Sequence, residues 1–442
     1  MVHPSRLQAP RQRWLSLPAP VRRLLVGEFL GLLSMASMHL ALAWWISSRH
    51  GAAALASYGT WTGAAALVAT PLLSPAGDRW PKVALVRLGR LALVLDAGLL
   101  AASCAAGVDD LAWLCACGLL SVAATALLLP AEASLLPELV AAAGLPTAIR
   151  LRRAAQAAGG LVGPALGGLL LAGAGLAATM MANLLLCALA AAAAWRIGRP
   201  APPAAPAAAG PRRGWFGEMA AGLRAKWRVE LDRWWTLVGA LMMLCLLPAT
   251  GLLLPLRIQA LGLGAAWFGT CSAAMSIGLL AGVAGMAPAL IERLGRVRAL
   301  ALVIAGCAAA MGGVGLCERG PVLAALYALI GLCLSVTQLV GQTHRMLAMP
   351  EDYRSRMTAA HLMVANASAA LAPALAGVLL LHTDVGAAYL LLAAGFAATG
   401  LLLLAIPGLG AFLRQDHEGA RNWYGRHYPQ AFTGADGGAP RR

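Results

Sequence analysis

Charge is what this sequence has least of. Only 12% of its 442 residues are Asp, Glu, Lys or Arg, against about a quarter in a soluble domain, so the chain cannot surround a single water-facing core of normal proportions. Lysine is nearly missing: Lys82 and Lys226 are the only two, and neither stands in G-x-x-x-x-G-K-[ST]. That excludes a Walker-type phosphate loop in this chain. The nine cysteines form no C-x-x-C pair and lie in or beside apolar runs, so they read as buried thiols and no metal or other cofactor is expected. A clustered His/Asp/Ser constellation at one depth is also missing, which argues against the alternative of a membrane-embedded lipid enzyme. What is present is apolar: 60% of the residues are hydrophobic, the opposite of a disordered composition, and the chain reads as an all-α, multi-pass membrane protein.

A spanning helix takes about 20 apolar residues. Runs of that kind, bounded by charge, Pro or Gly, fall at 24–46, 51–73, 88–107, 111–130, 151–172, 175–195, 235–256, 264–290, 297–317, 321–343, 357–381 and 385–408. The first is expected to be a retained span, since its basic lead is not followed by a short apolar core and a small-residue cleavage site. With both termini on the cytoplasmic side, 31 of the 34 basic residues fall in inner segments, and only Arg49, Arg257 and Arg319 fall outside. Basic residues accumulate on the inner side of spans, so the net charge of +16 is topological and calls for no nucleic acid. The expected location is a cell (inner) membrane.

The organisation follows: a cytoplasmic N-terminal tail (1–23), a six-helix bundle (24–195), a linker (196–234), a second six-helix bundle (235–408) and a cytoplasmic C-terminal tail (409–442), which from Arg414 is polar, basic and expected to be mobile. The linker begins with a Pro/Ala run unsuited to helix and continues with Trp and basic residues interleaved from Trp215 to Arg233, an amphipathic helix for the inner interface. A faint repeat relates the halves. D-R-W-P-K at Asp78–Lys82 corresponds to E-R-L-G-R at Glu292–Arg296, and P-A-L-G-G-L-L-L from Pro164 corresponds to P-A-L-A-G-V-L-L from Pro373.

Duplicated six-helix halves joined by a cytoplasmic linker are a transporter architecture, and over spans one to twelve the chain resembles the major facilitator superfamily. The loop S-P-A-G-D-R-W-P-K from Ser74 to Lys82 resembles that family's G-x-x-x-D-R-x-G-R-K, with Ser74 and Pro81 in place of its two glycines. The resemblance implies a charge latch between the bundles, formed by Asp78, Arg79 and Lys82, with Glu292, Arg293 and Arg296 as its second-half counterpart. Arg354 and Arg356 resemble the R-G-R at the start of span eleven. A pair worth about 1–3 kcal/mol would bias two states without locking either; the plain alternative is a topogenic loop.

In span five, Gly159, Gly163, Pro164, Gly167 and Gly168 match G-x-x-x-G-P-x-x-G-G, which resembles the antiporter motif of drug/proton exchangers. Three of these glycines stack on one helix face, where a neighbour can approach closely, and Pro164 removes a backbone hydrogen bond. The alternative is generic tight packing. The stretch from Leu129 to Val140 resembles macrolide and siderophore exporters; its two prolines are expected to bracket an interfacial turn, with Glu132 and Glu138 at the water boundary.

Ionisable groups inside spans are functional candidates by default. Glu28, Leu32, Met35 and His39 share one face of span one, placing Glu28 and His39 about 16 Å apart at about 1.5 Å per residue. Glu28 is the first candidate for proton coupling, the alternative being an interfacial carboxylate held by Arg22 or Arg23. Asp96 and His39 follow. Met35, Ser335, Gln338, Gln342 and Asn366 are cavity candidates, or else interhelical hydrogen-bonding residues. Together these readings anticipate a monomeric, proton-coupled exporter of a small amphipathic molecule, drug-like or a siderophore. Lysophospholipid flipping and nutrient uptake are the alternatives within the same fold.

Overall fold

A computed structural model describes residues 14, 17–73, 80–140, 144–198 and 223–432, and these are helix and connecting turn without a strand. Nine helices among them are long and apolar enough to cross a membrane. Two are double. Ala19–Leu73 breaks at Gly51 (φ 78°) and Leu145–Trp195 breaks at Gly175 (φ 81°), left-handed conformations that a residue without a Cβ adopts freely. Divided there, and with Lys82–Ala106 added, helix occupies all twelve expected span positions. The ends carry identifiable stops. Gly107 closes span three in the left-handed region, while Asp110 and Asp384 cap spans four and twelve by accepting from the Trp113 and Ala387 amides, which lack intrahelical partners.

The chain divides into two compact units. The first, residues 1–208 with 263–273, contains spans one to six and the opening turns of span eight. Its packing depends on the span-five glycines. A Cβ on Gly159 would lie 2.9 Å from the Phe29 carbonyl, on Gly163 2.6 Å from Ala36, and on Gly167 2.8 Å from Ser37. The stacked face therefore seats span one of its own unit. Gly168 alone turns elsewhere, onto the Gly269 backbone. At one end, Leu24, Leu25, Val86, Leu128, Leu135 and Ile197 close a common core. The carbonyls that end span six are capped by guanidinium groups: Arg23 reaches Arg196, and Arg87 reaches Trp195 and Ile197.

The second unit, 209–262 with 274–442, contains the remaining spans. Spans eight and ten cross closely at Gly278 and Gly331, where an added Cβ would come within 1.9 Å of the Ala328 and Met275 carbonyls. Arg257 caps span nine through the Val314, Gly315 and Cys317 carbonyls. Span seven contains a π-helical turn at Pro248–Leu252. This turn leaves the Ala249 carbonyl to accept from the buried Tyr327 and Tyr389 hydroxyls, each at 2.7 Å.

Two expectations need correction. The helix Leu111–Leu139 continues through Pro130 and Pro137 instead of turning between them; proline is tolerated in spanning helices where neighbouring groups satisfy the freed backbone. The C-terminal segment is folded as far as residue 432. It forms helices Leu409–Arg414, His417–Ala420 and Trp423–His427, with Phe412 ringed by Trp235, His344, Trp423 and Tyr424. Composition made the segment look mobile, but its few large apolar side chains all lie on the packed face.

Candidate functional site: two buried ion networks

The first network lies inside the first unit. Arg152, at the start of span five, donates through Nε to both oxygens of Glu28 in span one, at 2.6 and 2.9 Å. Arg90 of span three donates to Glu132 of span four at 2.6 Å. Glu28 is 2% exposed, and Arg90 and Glu132 are buried with it. Room for the Arg90 guanidinium comes from Gly31: a Cβ there would fall 1.7 Å from Nη1. The two carboxylates are near enough to repel, and each guanidinium offsets one of them. Four charges from four spans thus sum to zero in an interior that tolerates no unpaired ion.

The second network lies in the second unit. Asp232, at the start of span seven and wholly buried, accepts from Lys226 at 2.5 Å, from Arg345 of span ten at 2.5 Å and from Tyr424 of the C-terminal segment at 3.2 Å. Arg345 also donates to Thr236, lies over the Trp235 ring and sits 3.4 Å from His361 Nδ1. Lys226 precedes span seven. Burial lowers its pKa from 10.5 to about 8, with Asp232 working against that fall and Arg345 adding to it. Burial and the Asp232 charge push the Tyr424 phenol well above its ordinary value, so it stays a hydrogen-bond donor.

Glu28 is therefore held by Arg152, and neither Arg22 nor Arg23 is its partner. Glu132 is not at the water boundary. Glu138 is part-exposed and pairs with Lys82, which joins two helix ends of the first unit. Asp96 is buried, and its Oδ1 has no hydrogen-bond partner. His39 is exposed and Met35 half-buried, so the span-one face divides into an ion-paired lower part and an open upper part. Gln338 and Asn366 are exposed within their spans. Ser335 is not: it is buried against Gly282 and donates to the Leu332 carbonyl, because span eight leaves a glycine-sized gap there. Glu292 and Arg293 are exposed. Arg296 donates to the Leu413 and Gln415 carbonyls, and Arg356 lies over Tyr353. Asp78, Arg79 and the Gln342 side chain lie outside the described residues.

Sequence reasoning missed Arg90, Arg152, Lys226, Asp232, Arg345 and Tyr424, because arginines near span ends had been allocated to topology. One signal was available. The offset relating Pro164 to Pro373 also relates Arg152 to His361, and each of these residues faces the ion network of its own unit. Among the described residues no three His, Cys, Asp or Glu gather as metal ligands.

The charges of both networks, buried among these lipid-length helices, are paired, and Gln338 and Asn366 are exposed within their spans. The family model of the Major Facilitator Superfamily matches residues 24–318, and the chain belongs to that superfamily. No curated protein matches it in sequence. In structure it is similar to the nucleoside transporter NupG (TM-score 0.69, 14% identity, 88% of this chain and 98% of that one). It is likewise similar to a bacterial homolog of the human lysosomal transporter Spinster, solved inward-facing and unoccupied (0.65, 14%, 97% and 100%). A POT family transporter in complex with a thioalcohol-conjugated peptide is a third relative in fold (0.67, 11%, 91% and 100%).

Proposed function

We propose that the chain is a secondary active exporter of small amphipathic organic molecules, a drug-like compound or a siderophore, driven by proton antiport through alternating access. In this reading it is a monomer in the inner membrane, with termini and linker cytoplasmic. The observation that carries the proposal is the balanced quartet of Glu28, Arg152, Arg90 and Glu132. Protonating Glu132 leaves the buried Arg90 guanidinium without its counter-charge, worth about 3–5 kcal/mol for a broken buried pair. Protonating Glu28 frees Arg152 toward water and is worth about 1.5–3 kcal/mol. A shift of about 5.5 kcal/mol takes a two-state equilibrium from 1:99 to 99:1, so one proton can bias the cycle strongly. Glu28 is the leading carrier, with Asp96 and His39 as further titratable groups. In the first unit His39 and Met35 are the candidate substrate contacts, in the second Gln338 and Asn366, and Asp78, Arg79 and Lys82 are the candidate gating latch. The span-five motif supports export. Nutrient uptake within the same fold is the second reading.

The test is accumulation of candidate compounds by cells with and without the gene, with and without a proton uncoupler. Extrusion is expected to stop on uncoupling and in Glu28→Gln, while that variant still exchanges substrate across the membrane. Extrusion that survives uncoupling would remove the antiport mechanism.

A further inference from the structure

The two ion networks differ in charge. The quartet of the first unit sums to zero, whereas the second network has one carboxylate, Asp232, for two cations, Lys226 and Arg345. All three are buried, so one positive charge is in excess where an uncompensated ion is costly. Arg345 cannot shed it, because a guanidinium stays protonated and its nitrogens are engaged by Asp232, Thr236 and His361. Lys226 can. Its ammonium offers three donors, and among the described residues Asp232 Oδ2 is the one acceptor it meets. Facing the network are Asp232 from span seven, Arg345 from span ten, His361 of span eleven beyond the guanidinium, and Tyr424 from the C-terminal segment. With Lys226 neutral, the charges balance.

The same network fastens the C-terminal segment, since Asp232 Oδ1 accepts from Tyr424 while Oδ2 accepts from Lys226. Residues 409–432 go on to tie the linker-side ends of four spans. Phe412 packs on Trp235 of span seven, and Arg296 of span nine donates to the Leu413 and Gln415 carbonyls. The Asn422 amide donates to the Leu347 carbonyl of span ten, and Tyr353, leading into span eleven, donates to the Phe432 carbonyl. Lifting the segment would admit water to the ammonium and relieve the excess charge; seating it excludes water and drives the proton off. Docking and deprotonation therefore favour each other. We propose that the C-terminal segment is a proton-operated clasp, closed over the ends of spans seven, nine, ten and eleven when Lys226 is neutral and opened when Lys226 takes up a proton. The clasp belongs to the second unit and depends neither on Glu28 nor on the direction of transport.

The experiment is hydrogen exchange of the purified full-length protein in lipid nanodiscs at pH 7 and pH 9, each rate divided by the intrinsic rate at that pH. A lysine near 8 when docked and 10.5 in water binds fewer protons docked, so raising the pH closes the clasp. Corrected exchange of the Asn422 amide is expected to fall about tenfold between the two pH values. Lys226→Met, with no charge to shed, should be slow at both, and Lys226→Arg, with a charge it cannot shed, fast at both. A lysine that only fills space would not send the two variants in opposite directions. Equal corrected exchange at both pH values in the wild-type protein would overturn the proposal. So would a pH dependence that survives in Lys226→Met, which would move the switch to another group such as His344 beside the Gln415 carbonyl. That comparison decides even where Lys226→Arg fails to fold.

Discussion

Removing one member of the Glu28–Arg152 pair should hurt far more when the arginine goes than when the glutamate goes. Glu28 is 2% exposed and Arg152 16%, so a stranded guanidinium can turn toward water, whereas a stranded carboxylate cannot. Arg152→Met leaves the carboxylate with two lost charge-assisted contacts, at 2.6 and 2.9 Å. Its expected loss is about 3–5 kcal/mol, the usual value for breaking a buried pair. Glu28→Gln keeps an acceptor of the same shape and should lose about 1.5–3 kcal/mol, the value of a hydrogen bond to a charged group. The double variant Glu28→Gln/Arg152→Met should be more stable than Arg152→Met alone, with a coupling energy of about 2–3 kcal/mol, as contacting residues show in mutant cycles. Reversible unfolding in mixed detergent micelles, read by tryptophan fluorescence, measures all four corners of the cycle. Additive losses, or a Glu28→Gln protein as unstable as Arg152→Met, would refute the claim that an uncompensated carboxylate dominates the energetics.

Gly31→Ala should imitate loss of the Arg90–Glu132 pair, because the new methyl occupies the guanidinium's place; a stability loss within about 0.5 kcal/mol, the range of an ordinary surface change, would show that Arg90 has another position. Tyr424→Phe should lower the stability of the second unit by about 1.5–3 kcal/mol, the range for hydrogen bonds to charged groups. Exchange of the Asn422 amide, which donates to the Leu347 carbonyl of span ten, should rise with it, and unchanged exchange would disconnect the segment from the Asp232 network. The lysine gives a pH dependence. Burial holds Lys226 near 8 against 10.5, so its contribution to stability is complete above about 10.5 and is lost as pH falls toward 8. Relative to Lys226→Met, the wild-type protein should therefore gain about 2 kcal/mol between pH 7 and pH 9.5. A flat difference across that range would mean the lysine is solvated.

The helical fold was legible residue by residue. Apolar runs long enough to span are dictated by the bilayer and need no tertiary context, and Gly51 and Gly175 fall at the junctions of the double helices, where the backbone reverses with φ near 80°. The glycine stack of span five was legible as a close-contact face, since Gly159, Gly163 and Gly167 recur every fourth residue. Its partner, span one of the same unit, was not. The C-terminal segment was misjudged because its polar composition outweighed Phe412 and Tyr424, two side chains that are wholly buried.

What the sequence determined alone is the solvent: so little charge and so many apolar runs leave lipid as the only medium in which the chain can fold, and a backbone in lipid must pair all its own groups, which runs of about 20 apolar residues do as helices. What only the tertiary structure decided is which charges meet. Glu28 and Arg152 are 124 residues apart, and Asp232 and Tyr424 are 192 apart. Nothing local distinguishes an arginine at a span end that faces water from one that turns inward. The strength of an ion pair depends on distance and on exclusion of water, and both are properties of packed helices rather than of any segment read by itself.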